Sequence, residues 1–130
     1  LDSGRDCRTY EFDLVDDLTV NVTYTNEYYA YFYQESWLTY ADPSNPAIWY
    51  PDHEDEHAIY WILVDEDSEW AVQSWFDVSD NSDPGIYYLF SKNPIVSQEV
   101  LAEIIERLKA LDINIESYSI SRNVGCNNLA

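Results

Sequence analysis

Residues 59–72, IYWILVDEDSEWAV, decide the fold of this chain. Residues 59–64 form one uninterrupted apolar run, rich in β-branched and aromatic side chains. The acidic turn DEDSE follows, and a second apolar run opens at Trp70-Ala71-Val72. Two such runs about a short polar turn predict a β-hairpin. The first strand is apolar on both faces: Tyr60, Ile62 and Val64 on one, Ile59, Trp61 and Leu63 on the other. An antiparallel strand with one wet face would alternate between apolar and polar residues. This one does not, so both of its faces are covered. A barrel achieves that simply, with its interior on one side and a packed helix on the other.

The flanking sequence supplies the rest of such a barrel. Residues 7–14 alternate, with Arg8, Tyr10, Phe12 and Leu14 on one face. A tight turn at 15–17 leads to a strand over 18–26, whose apolar face is Leu18, Val20, Val22 and Tyr24. A long aromatic strand follows over 28–41, bulged near Gln34-Glu35. DPSNP at 42–46 is a turn signal, and a short strand over 47–50 ends at Pro51. Beyond the hairpin, SDNSDPG at 79–85 is a loop, and 86–91 is a strand apolar on both faces. Asn93-Pro94 breaks it. Ser97 has the chemistry of a helix N-cap, with Glu99 in the first turn. Val100, Leu101, Ile104, Ile105, Leu108 and Leu111 recur at helical spacing. They predict a helix of about 14 residues ending near Leu111, with Glu103, Glu106, Arg107 and Lys109 on the wet side. A last short strand covers 116–122. The expectation is an all-β, antiparallel up-and-down barrel with one C-terminal α-helix packed outside, a single domain over 1–130.

Charge narrows the function. There are 25 acidic residues against six basic ones, a net charge of −19. Nucleic acids and anionic membranes are bound through clusters of Lys and Arg, which this chain lacks. No apolar run approaches the ~20 residues of a membrane span. Both histidines, His53 and His57, lie in the charged loop PDHEDEH, but their spacing fits no closed zinc pattern, so the loop reads as solvated and no metal is assigned. The two cysteines, Cys7 and Cys126, are either free buried thiols or a disulfide closing a loop nearly as long as the chain, worth roughly 4–5 kcal/mol. A disulfide would place the protein in an oxidising compartment. Asn21-Val22-Thr23 is a glycosylation sequon whose Asn21 falls on the polar, outward side of its strand. The chain contains no Met and starts at Leu1, which reads as a processed or partial product.

The order of elements and several local motifs resemble the lipocalins, and within them the apolipoprotein D-like and arthropod bilin-binding group, which includes insecticyanin- and crustacyanin-like proteins. Tyr60-Trp61-Ile62-Leu63-Val64-Asp65 followed by Trp70-Ala71-Val72 is similar to that group's YWIL-x-TDY-xx-YA block, with Val64 at the usual Thr and Glu66 at the usual Tyr. Tyr88-Leu89-Phe90-Ser91-Lys92-Asn93-Pro94 is similar to the third conserved block, with Lys92 for Arg. The start Gly4-Arg5-Asp6-Cys7, with Tyr10 and Phe12, the helix and the final Cys also match. The first block, Gly-x-Trp on the family's first strand, is absent. The resemblance therefore implies that an N-terminal segment or a second chain, including a second copy in a homo-oligomer, completes the barrel.

The resemblance also implies a function. Lipocalins carry small hydrophobic molecules in the barrel cavity, so an extracellular carrier is expected, with a Cys7–Cys126 disulfide; the outward place of Asn21 in the alternation separately predicts a glycan there. The residues agree: Tyr10, Phe12, Tyr24, Trp37, Trp49 and Trp61 are inward-facing candidates, and aromatic walls suit flat conjugated or steroid-like ligands. Arg8 is the only base placed near them. The propionates of a bilin want bases or water, so a neutral carotenoid, retinoid, sterol or lipid fits at least as well. No cofactor is required, although a bound bilin or carotenoid chromophore is compatible. No catalytic residue is assigned. A few lipocalins are isomerases that use a Cys nucleophile, but here both cysteines are committed by the implied disulfide, and no serine sits in a nucleophile elbow. The competing expectation is an acidic secreted storage or structural protein with no specific ligand.

Overall fold

In the computed structural model, residues 7–28, 31–53, 56–79 and 87–115 are described. They form seven strands and one helix: β1 (Arg8–Asp16), β2 (Thr19–Tyr28), β3 (Tyr31–Asp42), β4 (Asn45–Pro51), β5 (His57–Val64), β6 (Trp70–Asp77), β7 (Tyr87–Ser91) and α1 (Gln98–Lys109). Each strand pairs antiparallel with the next, in the order β1-β2-β3-β4-β5-β6-β7. This up-and-down meander curls on itself. The Tyr10 ring of β1 reaches the Phe90 ring of β7 at 4.9 Å, although β1 pairs only with β2 and β7 only with β6. The predicted strand over 116–122 lies outside the described residues.

Aspartates shape the turns. Asp16 Oδ1 accepts the Leu18 amide, Asp42 Oδ1 accepts the amide and hydroxyl of Ser44, and Asp77 Oδ1 does the same for Ser79. Each carboxylate mimics a backbone turn, which is why Asp is favoured there. Those bonds hold the Asp16 carboxyl, through the Leu18 amide first, and the Asp42 carboxyl, through the Ser44 hydroxyl first, below their usual range.

The packed core lies outside the curl. Trp70, Val72, Ile104 and Leu108 form a buried cluster, with Ile62, Leu63, Leu89 and Val100 packed around it. Helix α1 starts where Ser97 accepts the Val100 amide at 3.2 Å. It ends earlier than its spacing predicts. Asp112 takes a left-handed φ of 62°, and the Ile113 amide returns to the Leu108 carbonyl. Arg107, expected on the wet side, lies 5.3 Å from the centre of the Trp70 ring and caps the cluster.

Three register shifts differ from the sequence expectation. The pairing of β2 with β3 is unbroken past Gln34 and Glu35, so there is no bulge at that point. Gln34 lies on the outer face and donates to Thr25, while Glu35 lies on the concave face opposite Tyr24. The strand accepts two consecutive polar residues because both faces are reachable by water there. The shifts fall instead between Leu14 and Asp16, between Ala41 and Asp42, and between Trp61 and Leu63. The last one moves Leu63 off the face it was expected to share with Trp61. Trp61 pairs with Gln73 and faces the concavity; Leu63 pairs with Val72 and packs under the helix.

Candidate functional site

The register assigns one concave face across the whole sheet. Tyr10 lies opposite Tyr24, and Tyr24 opposite Glu35; Phe12 lies opposite Val22, and Val22 opposite Trp37. Trp49 lies opposite Ala41 and Ile59, and Trp61 opposite Gln73. Gln73 in turn lies opposite Tyr88, and Ala71 opposite Phe90.

Rings meet across the middle of this face. Phe12 approaches Trp49, Trp61 and Phe90 with centroids at 5.9, 6.0 and 6.2 Å. Trp61 lies 5.2 Å from Trp49 and 5.6 Å from Phe90. All five of these pairs are edge-to-face, the arrangement the ring quadrupole favours. Toward the end where β2 leads into β3, the rings become phenols. Tyr10 packs on Tyr24 at 5.0 Å, and Tyr24 on Tyr33 at 6.0 Å. The face is thus graded, from an indole and phenyl floor to a tyrosine mouth.

Burial is uneven across this face: Val22, Asn26, Thr39, Ile59 and Gln73 are buried, while part of the aromatic lining is not. Tyr10 keeps 37% and Phe12 43% of its surface exposed, despite ring contacts on several sides. A packed core residue keeps almost none. Burial raises the Tyr10 phenol to about 12, with the neighbouring Tyr24 adding to the shift and Arg8 opposing it. The charge of Glu35, followed by desolvation, pushes Tyr33 above the usual phenol range.

Among the described residues, three buried polar atoms on the concave face have no hydrogen-bond partner: Asn26 Oδ1, Thr39 Oγ1 and Trp61 Nε1. Asn26 and Thr39 are each only 1% exposed. Asn26 lies opposite Arg8 and Tyr33, and its amide nitrogen donates to the Tyr24 hydroxyl at 3.5 Å.

Of the residues expected inside, Tyr10, Phe12, Tyr24, Trp49 and Trp61 come together in this cluster. Trp37 shares the face by register but stacks on His53 at 4.6 Å, apart from the other indoles. Arg8 shares the face at the exposed start of β1. Phe90, Tyr33, Tyr88, Asn26 and Glu35 belong to the same face and were not singled out in the sequence. In β7 every residue from 87 to 90 is apolar, so alternation does not say which side is inner; in Asn26 and Glu35 polarity reads as outward. Cys7 is fully buried, and no described cysteine is a free thiol, while Cys126 lies outside the described residues. Asn21 stands on the outer face, between Asp13 and Leu38. Among the described residues no group of three or more His, Cys, Asp or Glu side chains gathers as for a metal, and no helix is long and apolar enough to cross a membrane.

One solved structure that this chain resembles is of the siderocalin Ex-FABP, described as functioning through dual ligand specificities. The TM-score is 0.64 at 12% identity, over 92% of this chain and 79% of that one. The fold is that of a lipocalin. At that identity the likeness shows the fold alone and does not extend to the apolipoprotein D-like or bilin-binding group. No family model matches the sequence, and no curated protein matches it.

Proposed function

We propose that this lipocalin-fold protein is an extracellular carrier that holds a small, flat, hydrophobic molecule against its concave aromatic face and performs no catalysis. One observation carries the reading. Tyr10 and Phe12 stay part-exposed on the aromatic face inside the curl, while a tightly packed apolar cluster lies on the opposite side, under α1. A storage or structural protein has no reason to leave Tyr10 and Phe12 more than a third exposed inside its own sheet. The floor of this face is aromatic and apolar, so a carotenoid or retinoid is as natural an occupant as a bilin.

The extracellular setting rests on a proposed Cys7–Cys126 disulfide and a proposed glycan on Asn21. Non-reducing peptide mapping should recover the two cysteines as one cross-linked peptide, and two free thiols would overturn the pairing. Natively sourced protein should exceed its bare sequence mass by a glycan. Among the described residues one side of β1 and one side of β7 are unpaired, and a further strand, from an additional segment or a second chain, is proposed to cover them.

The deciding experiment is extraction of protein from its native source, with an absorption spectrum taken before denaturation and mass spectrometry of the extract. An apolar dye such as N-phenyl-1-naphthylamine should bind the stripped protein with blue-shifted emission, and Trp61→Ala should weaken that binding at least several-fold. A stripped, folded protein that takes up no apolar dye would refute the carrier reading.

A further inference from the structure

The outside of the curl carries an aromatic patch beside the sequon. Alternation along β3 puts Leu38 and Tyr40 on the outer face with Gln34. Tyr40 lies opposite Tyr50 of β4, and Ile48, two residues before Tyr50, lies opposite Tyr60 of β5. Leu38, Tyr40, Tyr50, Ile48 and Tyr60 are therefore neighbours on one face. The cluster under α1 does not include them, and Tyr40, Tyr50 and Tyr60 each keep more than a third of their surface exposed. The Tyr50 hydroxyl donates to Asp42 Oδ2 at 3.2 Å, which fixes that ring against the sheet. None of the five is charged, in a chain where 24% of the residues are. An exposed uncharged patch of this kind marks a contact surface.

Asn21 stands on the same face. It lies directly opposite Leu38, and Thr19, two residues earlier, lies opposite Tyr40. Asn21 is thus the diagonal neighbour of Tyr40, roughly 7–8 Å away, and Tyr50 is one strand spacing further, roughly 5 Å. A sugar chain on Asn21 meets both rings with its first units. A pyranose ring is polar at its edge and carries C–H groups on its face, and a tyrosine answers with a flat apolar ring and a hydroxyl tip. Such contacts are weak for a free sugar. A tethered sugar is held at an effective concentration on the order of millimolar, so weak contacts suffice.

Two alternatives are less favourable. On its other side Asn21 faces Asp13 of β1, with Glu11 beyond, and these accept sugar hydroxyls but offer no flat apolar surface. A second copy of the chain brings another charge of −19 and is repelled at long range, whereas a neutral sugar is not.

We propose that the outer patch of Leu38, Tyr40 and Tyr50 is a carbohydrate-binding surface filled by the neutral core sugars of the chain's own Asn21 glycan. This rests on the glycan proposed above and names the surface it covers; the concave face and its ligand do not enter.

Hydroxyl-radical footprinting tests it, on the whole chain secreted from a glycosylating eukaryotic cell. The references are the same protein after native treatment with peptide-N-glycosidase and the Asn21→Gln variant, the second because the amidase leaves a carboxylate at position 21. Oxidation of Tyr40 and Tyr50 should be several-fold slower with the sugar than in either reference. Tyr31 and Tyr88, exposed but away from the patch, should react equally in all three. A glycan on Asn21 with unchanged rates at Tyr40 and Tyr50 would overturn the contact while leaving the glycan in place. Slowing of all four tyrosines alike would also overturn it, because that is general shielding. Protection of Tyr40 and Tyr50 that persists in Asn21→Gln, with a doubled mass by light scattering, would assign the patch to a second copy instead. An Asn21 that carries no sugar would remove the glycan reading itself, and this inference with it.

Discussion

Tyr10 shows how one residue reports on the concave face. Its ring touches Tyr24 and Phe90, and burial holds its phenol proton up to about 12, against 10.0 for a free tyrosine. The folded state therefore keeps a proton that the unfolded chain loses first. Below pH 10 both states are protonated and the stability is fully present; it is lost as pH rises from about 10 toward 12. The full shift would correspond to about 2.7 kcal/mol, but with 37% of the residue exposed solvent screening reduces this to about 1 kcal/mol. Spectrophotometric titration near 295 nm should show a late-ionising phenol that disappears in Tyr10→Phe, and that variant should lose less stability than the parent between pH 10 and 12. A Tyr10→Phe protein with an unchanged late titration would place the slow phenol elsewhere.

At the scale of elements, α1 ties the helix spacing seen in the sequence to the sheet beneath it. Ile104 and Leu108 are buried against Trp70 and Val72, while Glu106 faces solvent. Ile104→Asp or Leu108→Asp should cost about 3 kcal/mol or more, because each buries an unpaired charge, and Glu106→Asp should change denaturant midpoints little. Ser97→Ala should cost about 1 kcal/mol by removing the cap on the Val100 amide. If all four variants melt together, the helix does not dock as described. The helix, its cap and the alternation of β1 and β2 were legible in the sequence because each element has one wet face that sets its phase. The phase of β5 and β7 was not, since both are apolar on two sides, and the full cover this implied for β5 is only partial, because Tyr60 and Val64 stay exposed. The switch between Trp61 and Leu63 is invisible there, because Ile62, the residue that spans it, suits either face. The polar members of the site were hidden for the opposite reason. Asn26 and Glu35 carry the composition of an outer face, and only register with Tyr24 and Tyr33 places them inside.

At the scale of the whole molecule, the sheet has two edges that face each other. Among the described residues, strand β1 is bonded to β2 alone and strand β7 to β6 alone, and the Tyr10 and Phe90 side chains meet between them. Unpaired backbone groups cost about 1–3 kcal/mol each when they are buried, and several of them would exhaust the stability of a small domain. The edges here escape that cost. Strand β1 is exposed along almost its whole length, so water reaches the groups that β2 does not bond. Among the described residues, the unpaired sides of the seven-stranded sheet therefore carry little of that cost at β1. Hydrogen exchange separates the two states of the edge. In the chain of 130 residues on its own, protection along Arg8–Asp16 should alternate, slow where an amide faces β2 and fast where it faces the gap. Tyr87–Ser91 should alternate in the same way against β6. An added strand would make protection continuous along both edges and, if it came from a second copy, would double the mass measured by light scattering. Continuous protection at monomer mass, with no additional segment in the intact mass, would mean that the chain covers these edges itself, by β1 pairing with β7 or through the strand expected over 116–122.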